Sequence, residues 1–368
     1  MLKSIDVIVP SFRVQKEYIL PIIQLMRPEG VTVRFYIIVD NPAISINKEL
    51  LQAVDDNEVN LIINEKNLGA SLTRNKGIDS GSGDWILFLD DDIKIEPNLL
   101  CIYQDAVNRN PEEIGFIGLV TLPPADSAFT KATMASGSAD IFSIASVKDS
   151  YTWGATANIA IKREALGPIR FNEAYPKGGG GEDVDFFLRF RARNNFKNLK
   201  TLAKAQVWHP WWNNGEPDFK RSYRYGNGAA FLMHLHPQYT RFDFPTTPES
   251  LFFLLIALVV SGLFFPEYLD TIGISILGVI LIEAIASYFY LRRSYSKPSI
   301  AMIYYSATMK IYYDSGVLFK NLSQGFWMGL FRHFNYSGIR KKNHFIQFNR
   351  YKLVKLVLFA VLVICLTW

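Results

Sequence analysis

The chain has 368 residues, 49% of them hydrophobic and 14% aromatic, with 39 basic and 34 acidic side chains. So much apolar mass excludes a disordered chain and is enough to build more than one core. Two cysteines, Cys101 and Cys365, exclude a disulfide scaffold, and no zinc-finger spacing is present.

The formal charge of +5 averages two unlike regions. Residues 1–247 hold 27 basic and 29 acidic side chains, whereas residues 248–368 hold 12 and 5. The basic excess therefore accompanies the longest apolar runs, which points to a membrane surface and away from nucleic acid. At the N-terminus, Ser4–Val9 is short, interrupted by Asp6 and stopped by Pro10. It reads as the first strand of a cytosolic domain, not as a signal peptide.

In chain order, that strand is followed by helical spacing over 14–25 and a β-branched, aromatic strand over 33–39 that ends at Asp40. A helix near 47–55, a strand over 59–63 and a helix over 70–80 come next. The strand 85–89 (WILFL) runs straight into Asp90, Asp91 and Asp92. This alternation predicts an α/β fold, a mostly parallel sheet with flanking helices, whose ligands bind beyond the carboxyl ends of the strands. Neither a GxGxxG fingerprint nor a P-loop appears, which leaves carboxylates and a divalent metal as one way a nucleotide could still be held.

Three consecutive carboxylates repel one another and call for a counter-ion. In extended backbone Asp90 and Asp92 point the same way, a hard-oxygen pair suited to Mg or Mn with a substrate diphosphate completing the shell. A solvated acidic turn is the plain alternative. The second cluster is the run Gly178–Gly181 followed by Glu182 and Asp183 at a helix start. Those acids either cap the helix and complement its dipole, or act as a general base leaving a mobile loop. His209 lies among Trp208, Pro210, Trp211 and Trp212, as a stacked core histidine or as a metal or phosphate ligand. Lys220, Arg221 and Arg224 either neutralise a leaving diphosphate or are ordinary surface bases.

Taken together, residues 5–213 resemble a family 2 glycosyltransferase with the GT-A fold. The pieces are IDVIVPSF at 5–12, Asp40, NLGA at 67–70 with TRNKG at 73–77, GDWILFLDDD at 83–92, GATANIAIKR at 154–163, and Gly181-Glu182-Asp183. The resemblance implies an inverting, nucleotide-sugar-dependent enzyme. Pro10, Asp40 and Asn67 would surround the base, Arg74 would lie near the nucleotide, and Asp90 and Asp91 would approach the donor. Asp92 and His209 would bind the metal, Asp183 would be the catalytic base, and Glu182 would assist it or orient the acceptor. Trp153, Gly154 and Asn158 would line the sugar region, and Arg221 and Arg224 would face the diphosphate. One departure is the second strand's ending, VDNPA, where many members carry another acidic residue and a Gly-Ser pair.

In the tail, 251–265 is apolar throughout, Pro266-Glu267-Tyr268 forms a turn, and 269–291 is apolar apart from Asp270 and Glu283. This predicts a transmembrane hairpin over 250–291, with Arg292, Arg293 and Lys297 marking its cytoplasmic end. Glu283 is expected to face another helix or the headgroups. Residues 300–352, which mix aromatics with Arg332, Arg340, Lys341, Lys342, Arg350 and Lys352, predict interfacial helices, and 355–368 is either a short third span or another interfacial helix. The expected division is a transferase domain over 1–247 and an all-α membrane region over 248–368.

The expected function is the transfer of one sugar from a nucleotide-diphosphate sugar to a hydroxyl of a lipid-linked or cell-surface saccharide precursor. The expected place is the cytoplasmic face of a multi-pass inner-membrane protein, in contact with membrane lipid. A polyprenyl-phosphate sugar synthase, a processive polysaccharide synthase and a non-enzymatic membrane scaffold are the alternatives. A processive enzyme would carry more spans and a Gln-x-x-Arg-Trp-like motif, which is absent. The oligomeric state is left open.

Overall fold

The structure is a computed structural model that describes residues 1–54, 58–339 and 350–367. The basic stretch Arg340–Lys342 and the terminal Trp368 lie outside the described residues. The chain begins β1 (Ser4–Ser11), α1 (Lys16–Ile23), β2 (Thr32–Val39), α2 (Lys48–Ala53), β3 (Val59–Ile63), α3 (Ala70–Ser80) and β4 (Trp85–Leu89). It continues through β5 (Lys94–Ile95), α4 (Leu99–Arg109), β6 (Gly115–Thr121), α5 (Ala128–Ser136), α6 (Ile144–Val147), β7 (Ser150–Tyr151) and β8 (Asn158–Lys162). Then come α7 (Arg163–Leu166), α8 (Glu182–Arg193), β9 (Leu199–Trp208), α9 (Phe219–Leu235) and β10 (Thr240–Phe242). The last elements are α10 (Thr247–Phe264), α11 (Leu269–Leu291), α12 (Ile300–Ser323), β11 (Arg332–Phe334) and α13 (Arg350–Thr367).

Two compact units result, one of residues 1–124 with 139–214 and one of residues 125–138 with 215–368. The first is built on a sheet ordered β3-β2-β1-β4-β8-β6-β9-β5, with β7 beside β9. Strands β3, β2, β1 and β4 are mutually parallel, and β6 is parallel to β9. Strand β8 runs antiparallel to both β4 and β6, so β6 and β9 point the same way as β4. The carboxyl ends of β1, β2, β3, β4 and β9 therefore share one edge.

Strands buried on both faces read as nearly continuous apolar runs, and their period of two feeds two cores. Val7, Val9, Phe35, Ile37, Leu87 and Leu89 enter one. Ile8, Ile38, Ile86 and Phe88 enter the other, with Phe186 and Phe187 of α8.

The boundary of packing falls at 214/215 instead of 247, because α5 and α9 pack on α12. Phe129 of α5 meets Tyr305 of α12 edge-on at 5.5 Å. Helices α9 and α12 cross through a pair of glycines. A Cβ on Gly226 would lie 2.0 Å from the Tyr313 carbonyl oxygen, and one on Gly316 would lie 2.1 Å from that of Tyr223. Charge counting along the chain has no access to this packing.

In the second unit, α10 and the segment Pro266–Leu291 are long and apolar enough to cross a membrane. Their outer faces expose Val259, Leu263, Phe264, Leu277 and Leu281. Glu283, as expected, faces other helices. It is fully buried and accepts from Lys355 Nζ of α13 at 2.8 Å and from the hydroxyls of Thr247 and Tyr351. Where several interfacial helices were expected over 300–352, the described residues form one long helix, α12, and the strand β11, which pairs with β10. The unit is helical with a two-stranded ribbon, since Thr240–Phe242 and Arg332–Phe334 satisfy each other's backbone groups.

Gly226→Ala and Gly316→Ala should each destabilise the second unit by about 1–3 kcal/mol, because the added methyl meets backbone that cannot rotate away. Thermal unfolding of the detergent-solubilised chain measures this, and an unchanged melting temperature would refute the close crossing.

Candidate active site

The shared sheet edge collects Ser11 at the end of β1, Asp40 after β2, Asn64 after β3, Asp90 after β4 and His209 after β9. The hairpin-like return of β5 against β9 pairs Lys94 with Trp208 and so brings Asp92 beside His209. Asp90, Asp92 and His209 each offer a ligand atom within 4.8 Å of the others. His209 Nε2 is 3.2 Å from Asp92 Oδ1 and 4.0 Å from Asp90 Oδ2.

His209 Nδ1 lies 2.6 Å from the Pro210 carbonyl oxygen. A carbonyl only accepts, so Nδ1 carries a proton and Nε2 is the ring atom turned toward the two carboxylates. Asp92 Oδ1 is buried with no hydrogen-bond partner. Two lone pairs facing each other at this distance require a cation or a proton between them. The hard oxygens and one imidazole fit Mg or Mn. His209 thus packs against Phe142 and Trp212 while its Nε2 faces the two carboxylates.

The second acidic cluster is built by backbone. Gly179, Gly180 and Gly181 have φ of 82°, 133° and 94°, left-handed values that side chains resist. Lys177, just before them, clasps the loop after β3. Its carbonyl accepts from Ala70 N at 3.0 Å and its Nζ donates to the Asn67 carbonyl at 2.9 Å. A Cβ on Gly69 would meet Lys177 Cα at 2.7 Å, so only glycine permits the approach.

Helix α8 starts with Glu182 and Asp183, and the two diverge. Glu182 is buried and accepts from Gly180 N at 2.6 Å and from Arg74 at 3.5 Å. Asp183 is half-buried, with Oδ1 accepting from Val184 N at 2.8 Å. Desolvation first, then the neighbouring Glu182 charge, push its carboxyl up to about 7, against the opposing pull of Val184 N–H and Arg74.

Arg74 of α3 joins the clusters. Its guanidinium donates to Asp90 at 3.3 Å and to Glu182 at 3.5 Å and lies over the Phe171 ring. Desolvation raises the Asp90 carboxyl above its usual range; Arg74 and His209 oppose that, while Asp92 and Asp91 add to it.

Several predicted site residues are spoken for structurally. Asp40 is buried and accepts from Asn64 Nδ2, Leu68 N and Gly69 N at 2.7–2.8 Å, which organises the loop after β3. Asn158 is fully buried. It accepts from the Tyr103 hydroxyl and donates to the carbonyls of Leu119 and Ala205, tying β8 to β6 and β9 instead of lining a sugar. Trp153 packs half-buried against the core that holds Phe186. Pro10 sits within β1 opposite Ile38. Arg221 and Arg224 belong to the second unit, where Arg221 reaches the Tyr225 hydroxyl. Two residues passed over in the sequence also belong to the cluster. Ser11 Oγ donates to Asp91 at 2.6 Å, and Arg13 donates to Asp92 at 2.6 Å and Asp91 at 3.4 Å. A base three residues beyond Pro10 was the available signal.

With this geometry in place, the family description "Glycosyl transferase family 2" matches residues 6–139. That match, which spans about a third of the chain, and the relatives below support a glycosyltransferase. It is 26% identical over 251 residues to the amylovoran biosynthesis glycosyltransferase AmsB of Erwinia amylovora, covering 65% of this chain and 80% of AmsB. It is also 35% identical over 66 residues to the glucosyl-dolichyl phosphate glucuronosyltransferase of Haloferax volcanii, covering 18% of this chain and 21% of that protein. The crystal structure of S. aureus TarS superposes with a TM-score of 0.41 at 14% identity, over 61% of this chain and 39% of TarS. The chain thus spans less than two thirds of both the Haloferax protein and TarS.

Arg74→Met should leave buried Glu182 and half-buried Asp90 without their shared cation and cost about 3 kcal/mol of stability. Urea unfolding tests this; a variant as stable as the parent would show that the bridge does not hold the site together.

Proposed function

We propose that this glycosyltransferase moves one sugar, with inversion, from a nucleotide-diphosphate sugar to a hydroxyl of a lipid-linked or cell-surface saccharide precursor. The observation that carries the reading is one sheet edge holding two acidic centres of different character, joined by Arg74. Asp90, Asp92 and His209 suit a hard divalent cation, and Asp183 has a carboxyl poised near neutral pH.

A bound Mg or Mn ion would supply charge stabilisation on the departing diphosphate. Asp92 and His209 would hold it, with Asp90 directed toward the donor by Arg74. Asp40 shapes the nucleotide end through the loop it orders, alongside Pro10 and Asn67. Asp183 would take the acceptor's proton as the hydroxyl oxygen attacks the anomeric carbon and the bond to the diphosphate oxygen breaks. Glu182, turned inward to Gly180 and Arg74, positions that base and keeps its proton affinity high.

A base with such a carboxyl favours a hydroxyl acceptor over a lipid phosphate, which is already ionised. A saccharide acceptor also accords with the AmsB name, and a lipid-linked one with the Haloferax name. The apolar outer faces of α10 and α11, followed by Arg292 and Arg293, support a membrane-bound protein with its catalytic unit on the cytoplasmic side.

Asp183→Asn should lower kcat by about 10²–10⁴-fold while leaving donor binding nearly intact; near-normal turnover would remove Asp183 from the mechanism. In the parent enzyme, kcat/KM should fall as pH drops through about 7, because the protonated carboxyl cannot accept a proton. Asp92→Ala should abolish the dependence of donor binding on Mn in calorimetry, and an unchanged dependence would rule out the metal assignment.

A further inference from the structure

The turn after β1 holds a guanidinium where the acidic cluster would receive its cation. Arg13 reaches Asp92 Oδ2 at 2.6 Å and Asp91 Oδ1 at 3.4 Å. Arg13 thus holds Oδ2 of Asp92, while Oδ1 faces His209 Nε2 at 3.2 Å with no hydrogen-bond partner. The two carboxylates are 13% exposed whereas Arg13 is 53% exposed, so the acids are fixed and the base can leave.

The backbone is shaped for this contact. Val14, the next residue, sits at φ 48°, a left-handed conformation that is a genuine outlier for a β-branched side chain. Such strain costs about 1–3 kcal/mol and persists only where the surroundings overdetermine it. Here the Val14 side chain is buried and its N–H donates to Ser11 Oγ at 3.0 Å, while the same oxygen donates its proton to Asp91 at 2.6 Å. The strained residue, the serine and the arginine form one turn that places positive charge over Asp91 and Asp92.

We propose that Arg13 is the resident counter-ion of the acidic cluster, and that a divalent cation arriving at Asp92 Oδ1 competes with it for the same carboxylate charge and loosens it. The freed guanidinium, with its planar fork of N–H donors, then has a matching partner in the phosphate oxygens of the donor's diphosphate. Metal and nucleotide binding are thereby coupled: metal alone weakens the Arg13 pair without recompense, whereas metal with diphosphate offers that guanidinium a replacement anion. The proposal rests on the divalent-metal reading of Asp90, Asp92 and His209.

The test is Mn²⁺ binding to the detergent-solubilised full chain, read from the electron paramagnetic resonance of free Mn²⁺, with no substrate present. Arg13→Ala should bind Mn²⁺ about tenfold more tightly than the parent, in the range of a charge-assisted pair at a partly exposed site. Arg13→Lys, which keeps the charge without the fork, should fall between them. Adding UDP should tighten Mn²⁺ binding more in the parent than in Arg13→Ala. Equal or weaker Mn²⁺ affinity in Arg13→Ala would overturn the role of Arg13 and leave the metal site standing. Absence of Mn²⁺ binding in parent and variant alike, with or without UDP, would overturn the metal reading and this proposal together.

Discussion

The polar edge of the catalytic unit depends on one buried guanidinium held between two carboxylates. Arg74 comes from α3, Asp90 from the end of β4 and Glu182 from the start of α8, so three separate segments must arrive together before any of the charges is compensated. Leaving one of these ions unpaired in a low-dielectric site is far costlier than the pair itself is favourable. That asymmetry makes the arrangement cooperative. It also explains the division of labour between adjacent acids: Glu182 is drawn inward by Arg74 and Gly180 N–H, and Asp183 is left with a proton affinity near neutrality.

The same economy of charge runs along the rest of the edge. Four acidic residues, Asp40 and Asp90 to Asp92, stand at strand ends, and each has a different partner set. Asp40 is occupied by backbone N–H groups and Asn64, Asp90 by Arg74, Asp91 by Ser11, and Asp92 by Arg13 and His209. Like charges so close together persist because each carboxylate is neutralised from a different direction. Among these four acids, Asp92 alone has a buried oxygen without a hydrogen-bond partner, at the point where His209 Nε2 faces it.

The helical unit solves a related problem with the opposite material. Its apolar faces on α10 and α11 are turned outward, and its charges are turned inward onto one another. Glu283 is buried against Lys355, Thr247 and Tyr351, and Asp314 against Lys310. Close crossing of α9 and α12 through Gly226 and Gly316 brings backbone to backbone without a side chain between. An inside-out distribution of this kind suits an apolar solvent, in which every polar group must find its partner within the protein.

Much of the fold was legible along the chain. Strand–helix alternation, runs such as WILFL entering an acidic triplet, and the glycine run before Glu182 are local patterns that backbone sterics and apolar periodicity impose. The apolar tail segments were equally plain, since length and composition alone mark a helix fit for a membrane. What stayed hidden were matters of direction and partner. Asn158 and Asp40 looked like ligand contacts, yet their side chains are consumed by neighbouring backbone. Arg13 was passed over, and the turn of Glu182 inward to Arg74 is not written in the local pattern. Likewise, the charge change near 247 did not mark the packing boundary at 214/215, because α9 is held by a helix that follows it by some seventy residues of chain. The +5 average dissolves into a near-neutral transferase half and a basic apolar half by counting alone, since residue type suffices for that. Which carboxylate meets which cation was decided by tertiary structure, because electrostatic pairing depends on distances that residues remote in sequence acquire only when the chain has folded.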